Sequence, residues 1–281
     1  MEPARLVYAD RSDRGKLRFT GPQRAWFLHQ ILTQAFEDIA PGEARDTAMI
    51  TAHGRMLGYM EVVATEDALL AHFESSLLST LPDEIRRYVF ATRVEIEDVS
   101  ADTGLLLVAG GNWQEAANRV EEAVVHPTSS LGVPAGYLWM PAGEVTRAIT
   151  TLEEAGAGRA SDADLEEIRI AHRVPRWGFE MDMKTIPQEA GVDATAVHFD
   201  KGCYVGQEAM AKIHFRGKVN RRLALIQSES ELERGSEVLA EGAVVGKVTS
   251  TAGRRALAIV KRTVEPDSAV EVGTRPARVV G

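Results

Sequence analysis

A change of rhythm near residue 216 constrains this 281-residue chain more than any other feature. Before it, short runs with strand-like alternation take turns with stretches of helical spacing. After it, five strand-like runs follow one another at 222–227, 236–240, 243–250, 256–260 and 269–272, across turns containing Gly, Arg or Pro. No helical stretch interrupts them. About 65 residues of that kind suggest a small barrel or closed sheet. Interleaved strands and helices ahead of it suggest α/β or α+β layers rather than a helix bundle. A chain of this length can bury one large core or two to three smaller ones.

In the first part, Leu17-Arg18-Phe19 reads as a strand ending at Gly21, and Pro22 suits the first turn of a helix running to about Gln34. Strands at 44–51 and 56–63 join through His53-Gly54-Arg55. A helix over 74–89 meets Pro82, which kinks or splits it. Further on, strands are expected at 94–99, 105–108 and 137–140, and helices at 112–124 and 144–154. Ser161-Asp162-Ala163-Asp164 has the form of a capping box launching a helix toward His172. The reading divides the chain into an N-terminal α/β region (1–100), a second α/β region (101–214) and a C-terminal β-barrel (215–281).

Composition excludes several classes. No apolar run approaches the roughly 18 residues of a membrane span, and the start, Met-Glu-Pro-Ala-Arg, lacks the basic and apolar segments of a leader. A cytoplasmic protein without membrane contact is expected. One cysteine excludes an internal disulfide or a multi-cysteine metal site within one chain. The seven histidines show neither H-x-x-x-H nor H-x-H spacing, so no stably bound metal is expected. A formal charge of −9 argues against direct nucleic-acid binding. Yet residues 169–222 hold ten Lys/Arg against six Asp/Glu, leaving the remainder at 22 against 35. A basic segment on an acidic chain suits a small anionic ligand.

Two constellations carry chemical potential. The first is Lys201-Gly202-Cys203-Tyr204-Val205-Gly206-Gln207-Glu208, which holds the lone cysteine. Glycines this close to a thiol imply a tight turn or a close approach by another group. Lys201 and a helix beginning near Gln207 would lower the thiol pKa below roughly 8.5. On its residues alone the segment is equally a working site or a turn. The second runs from Arg169 through Arg173, Arg176, Trp177 and Glu180, followed by Ile186-Pro187-Gln188-Glu189-Ala190. Stacking on Trp, forked pairing to Arg and acceptance by Glu would grip a planar heterocycle bearing carboxylates. A loop pinned by Pro and Trp gives the same pattern.

With Phe215-Arg216-Gly217-Lys218 and Arg221-Arg222-Leu223, the eight-residue motif resembles the signature of the YgfZ proteins, within the superfamily of the glycine-cleavage T-protein (GcvT). Gly21-Pro22-Gln23-Arg24-Ala25-Trp26-Phe27-Leu28, the 186–190 segment and Val245-Gly246-Lys247-Val248-Thr249-Ser250 are similar to superfamily patterns in the same order. The resemblance implies an α+β fold in which two interleaved, ferredoxin-like α/β domains surround a central channel for tetrahydrofolate, with a small C-terminal β-barrel. It implies a role in assembling or repairing iron–sulfur proteins, with an indirect effect on tRNA modification, and it makes Cys203 the functional residue with Lys201 as its activator. Folate contacts are then expected from Arg55, Arg169, Arg173, Trp177, Glu180, Tyr204, Gln207 and Glu208. Partners would be a folate and iron–sulfur client or assembly proteins.

Two departures qualify the resemblance. The Gly-Gly-x-x-Asp-Asp segment of the aminomethyltransferases reads Gly54-Arg55-Met56-Leu57-Gly58-Tyr59, without either aspartate. The Arg-x-Glu-x-Gly pattern reads Arg169-Ile170-Ala171-His172-Arg173, which leaves Glu180 and Glu208 as the nearest acids for a pterin. A folate-dependent aminomethyl- or methyltransferase and a non-catalytic folate-fold module are the alternative readings.

Overall fold

A computed structural model describes residues 5–217 and 219–281. Residues 1–4, on which the leader expectation rests, and Lys218 of the extended motif lie outside the described residues, as does the side chain of Arg216. The chain runs β1 (Val7–Asp10), β2 (Gly15–Thr20), α1 (Arg24–Ile31), β3 (Ala44–Ile50), β4 (Met56–Ala64), β5 (Leu69–Phe73), α2 (Leu81–Arg86) and β6 (Glu95–Asp98). Then come β7 (Thr103–Ala109), α3 (Trp113–Ala117), β8 (Val124–Pro127), β9 (Ala135–Pro141), α4 (Val145–Glu154), β10 (Gly158–Arg159) and α5 (Asp162–Ala171). Short helices α6 (Pro187–Ala190) and α7 (Asp193–Ala196) lead to α8 (Gln207–Arg216). The last part is all strand: β11 (Arg221–Ser228), β12 (Glu237–Ala240), β13 (Ala243–Ala252), β14 (Arg255–Lys261), β15 (Ala269–Val272) and β16 (Arg275–Val280).

Two five-stranded sheets, ordered β3-β4-β5-β2-β6 and β10-β1-β7-β9-β8, pack face to face, and the last six strands close into a barrel. The pleat explains the layering, because successive side chains leave a strand on opposite faces. On β7, Leu106 and Val108 join Trp113 and Leu152 under the helices, while Leu105, Leu107 and Ala109 meet Val63 of the first sheet. A strand buried on both faces reads as a continuous apolar run. In the barrel, Val238, Val248, Ala258, Val260, Val272 and Val279 fill the interior. Pairing of Leu225 with Val280 closes it.

Chain order does not separate the two sheets. β1 lies in the second sheet beside β7. In the other direction, Trp177, Met181, Ala190, Tyr204 and Met210 pack into the core of the first sheet. The cysteine motif therefore sits on the first sheet, not within the second α/β region.

Several local expectations also change. α1 stops at Ile31, short of Gln34, and the chain turns extended at Leu32. The helix expected over 112–124 ends at Ala117, and residues from Val124 pair with β9 instead. Pro82 does split the 74–89 stretch, standing in the first turn of α2 after a single 3₁₀ turn at Ser75–Leu77. No helix among the described residues is long and apolar enough to cross a membrane.

Candidate functional site

The motif forms a loop from Lys201 to Gly206 that packs on the β3–β4 turn and the end of α1. Gly206 is the N-cap of α8 with φ +84°, and a Cβ there would lie 2.4 Å from the Thr51 carbonyl oxygen. Only glycine combines that dihedral with that approach. Gly54 of the β3–β4 turn in turn faces Ala209 and Met210 of α8. Cys203 is exposed, with a free thiol.

Lys201 does something other than accompany the thiol. It is buried, and its Nζ donates to the carbonyls of His29, Leu32 and Gln34 at 2.5, 2.5 and 2.9 Å. These are orphan carbonyls at the end of α1, so Lys201 is the cap that stops the helix at Ile31. Burial pushes its ammonium down to about 7, while three acceptors at the negative end of a helix work in the opposite direction. The expectation of an ammonium free to serve Cys203 is corrected accordingly. Tyr204 lies buried beneath this ammonium, its ring centroid 4.6 Å from Nζ, and burial pushes its phenol up to about 12. Gln207 donates to the Lys201 carbonyl oxygen, and Glu208 is exposed on α8.

The second constellation divides. Glu180, expected at the pterin, is fully buried and occupied. Its carboxylate accepts from Arg169, from the Arg176 N–H, and from Thr249 and Ser250 of β13 at 2.5–3.1 Å. Arg169 forks onto Glu166 and also donates to Ser250. This network bolts α5 to the barrel. Arg173 donates to the carbonyls of Val280 and Gly281, and Arg55 to that of Lys184, 3.7 Å from Glu189.

Between the sheets and the 169–195 segment lies a cavity of about 240 Å³. Of the ten residues proposed from sequence, Arg169, Arg173 and Trp177 line it; Cys203, Lys201, Arg55, Glu180, Tyr204, Gln207 and Glu208 do not. The residues missed are strand and turn residues: Asp46, Tyr59 and Glu61 from the first sheet, and Arg11, Arg14 and His72 around them. A carboxylate within β4, where alternation places a side chain facing a second sheet, was the available signal. Six buried side-chain polar atoms lack a hydrogen-bond partner among the described residues, and five belong to lining residues: Arg11 Nε, Glu61 Oε1, His72 Nε2, Ser130 Oγ and Arg176 Nε.

Glu61, His72 and His126 form a buried cluster compact enough for a metal ion. Their hydrogen bonds argue against one. Arg14 Nε donates to His72 Nδ1 at 2.9 Å, and Trp139 Nε1 donates to His126 Nε2 at 3.0 Å. Arginine and tryptophan N–H groups can only donate, so each ring's other nitrogen carries a hydrogen. His126 Nδ1 stands 3.0 Å from Glu61 Oε1 and 3.1 Å from the Pro127 carbonyl oxygen, and His72 Nε2 lies 3.9 Å from Glu61 Oε2. The two ring nitrogens nearest the carboxylate thus carry hydrogens where a cation would need lone pairs. Burial, then the Arg14 charge, hold the His72 imidazole well below its ordinary pKa, hence neutral. As arranged, the donor set does not fit a metal.

Two sheets flanking a cavity lined by charged and aromatic side chains, with a barrel bolted to its wall, give the GcvT-like fold. The chain superposes over 99% of its length on the glycine cleavage system aminomethyltransferase T from Bartonella henselae, with a TM-score of 0.88, 14% identity and 85% of that chain covered. Residues 220–280 match the family model described as the CAF17 C-terminal beta-barrel domain. A chloroplastic protein of Arabidopsis thaliana named as a transferase is 27% identical over 88% of this chain, which spans 62% of that relative's length. An aminomethyltransferase of Thermotoga neapolitana is 26% identical, covering 94% of this chain and 80% of its own. The tRNA-modifying protein YgfZ of Yersinia pestis is 25% identical, covering 79% and 70%. The chain thus has a GcvT-like fold and is similar in sequence to YgfZ and aminomethyltransferase proteins.

Proposed function

We propose that this chain is a cytoplasmic, tetrahydrofolate-binding factor of the YgfZ type that serves iron–sulfur protein assembly or repair through Cys203, and tRNA modification only indirectly. The observation that carries the ligand half is the convergence of Arg14, Asp46, Glu61, Arg169, Arg173 and Trp177 on one cavity. Charged groups of both signs beside an indole suit a planar ring that bears polar N–H groups and carboxylates. A reduced pterin offers ring N–H groups to Asp46 and Glu61 and a flat face to Trp177. Arg11 and Arg176 also line an adjoining surface groove, where a carboxylate-bearing tail would meet them.

The thiol works elsewhere. Asp46 lies in the cavity wall, and Thr51, which the motif loop touches, stands five residues along from it, about 17 Å for an extended strand. An exposed cysteine suits exchange with a partner protein: a thiolate ligand or sulfur carrier for a client. One cysteine per chain can share a cluster only with another thiol source. In cells lacking the native copy, Cys203→Ala is expected to leave iron–sulfur enzyme activity unrestored; full restoration would overturn the thiol's role.

A second reading, folate-dependent aminomethyl or methyl transfer, is favoured by the two carboxyl groups in the cavity. Folate-dependent demethylation of a methylated amine that survives loss of Cys203 would establish it.

A further inference from the structure

We infer that Asp46 is the group that exchanges a proton with the heterocycle bound in this cavity, taking over from the aspartates missing at 58 and 59. The inference rests on the folate reading of the cavity. Asp46 on β3 and Glu61 on β4 are direct cross-strand partners, so their Cβ atoms stand about 5 Å apart on one face. Both line the cavity, and neither makes an ion pair with Lys or Arg within 4.0 Å among the described residues. Like charges placed directly opposite are unfavourable, and a proton on one of the two relieves them.

The surroundings decide which acid holds it. Glu61 accepts from Thr128 Oγ1 at 2.6 Å, and its oxygens have His126 Nδ1 at 3.0 Å and His72 Nε2 at 3.9 Å. Asp46 has Ser129 Oγ at 2.6 Å. Facing it are Tyr59 and Glu61 from β4, His126 from β8 and Thr195 from α7 by way of Tyr59. Burial first, then the Glu61 charge, raise Asp46 to about 6. Its proton is therefore available near neutral pH. In the exchange the Asp46 O–H bond breaks and an N–H bond forms on a basic ring nitrogen, leaving Asp46 negative and the ring one charge more positive. The reverse step returns the proton. A carboxyl group raised toward neutrality beside a second acid is a usual arrangement for acid–base work.

Two measurements test it. Without ligand, carbon-13 carboxyl NMR of the wild type and Asp46→Asn assigns the Asp46 signal, which is expected to titrate near pH 6; titration below about pH 4.5, the ordinary range, overturns the proposal. With 5-formyltetrahydrofolate as the probe, affinity from pH 5 to 8 is expected to show an inflection near 6 that Asp46→Asn abolishes. A flat wild-type profile, or an inflection that survives in Asp46→Asn, sinks the proton role and leaves folate binding standing. Should Asp46→Asn abolish binding altogether, Glu61→Gln decides: its inflection is expected to fall by at least about one pH unit, and an unmoved inflection overturns the proposal. No binding at any pH removes the folate reading and the proton role together.

Discussion

A single ammonium illustrates how the same residue reads differently in sequence and in space. Lys201 stands two positions from Cys203, and from spacing alone it looks like an activator. Folded, it caps α1 through three carbonyls. Lys201→Met leaves those acceptors buried and unpaired, so a loss of about 2–4 kcal/mol is expected in urea unfolding. Cys203→Ser, an exposed change, is expected to stay within about 0.5 kcal/mol. Equal losses from both would contradict the division between cap and thiol. Asp46 makes a second residue-scale prediction. Its folded pKa lies above the unfolded 3.8, so its stabilising contribution is complete below about 4 and is lost as pH rises through about 6. Between pH 4.5 and 7 the wild type should lose about 2 kcal/mol that Asp46→Asn does not, read from urea midpoints at those two pH values. Of the basic, Trp-containing segment singled out in the sequence, Arg169, Arg173 and Trp177 line the cavity. Asp46 and His72 were not singled out, because alternation marks the two faces of a strand without telling which other element will cover them.

At the scale of elements, local signals held where one residue controls the backbone. The Ser161 capping box forms and α5 runs to Ala171. Pro82 divides its helix. The glycines of the motif imposed both a turn and a close approach, and at Gly206 the approaching group is the Thr51 carbonyl. Gly206→Ala must accept φ +84° and a Cβ 2.4 Å from that oxygen, so the loop must move off the β3–β4 turn. A loss of about 2–4 kcal/mol is expected, with faster amide exchange confined to residues 201–210 and 50–55; a variant with wild-type stability and exchange would refute this seating of the motif. Signals failed where partners override propensity. Residues after Ala117 have helical composition, yet Val124 joins β9. β16 escaped notice because Pro276 breaks its pattern, although the strand closes the barrel.

For the whole molecule, the barrel was legible from the absence of helical spacing after residue 216, and the interleaving of two α/β domains came with the family resemblance, but which strand joins which sheet was in neither. β1 sits nearly a hundred residues from its partner β7, and periodicity carries no record of such long-range pairing. Glu180 shows what the assembly requires: its carboxylate joins α5, the loop after it and β13. Glu180→Gln is expected to cost about 3–5 kcal/mol, the range for breaking a buried ion pair, and to speed exchange in β13 ahead of β7. Uniform acceleration would argue that the barrel is not hinged on this residue. The central claim concerns the cavity, and calorimetric titration with 5-formyltetrahydrofolate tests it most directly. The account expects saturable heat at one ligand per chain, weakened at least about tenfold, or 1.4 kcal/mol, in Tyr59→Trp, which narrows the cavity. Absence of heat, or equal binding by Tyr59→Trp, would contradict it.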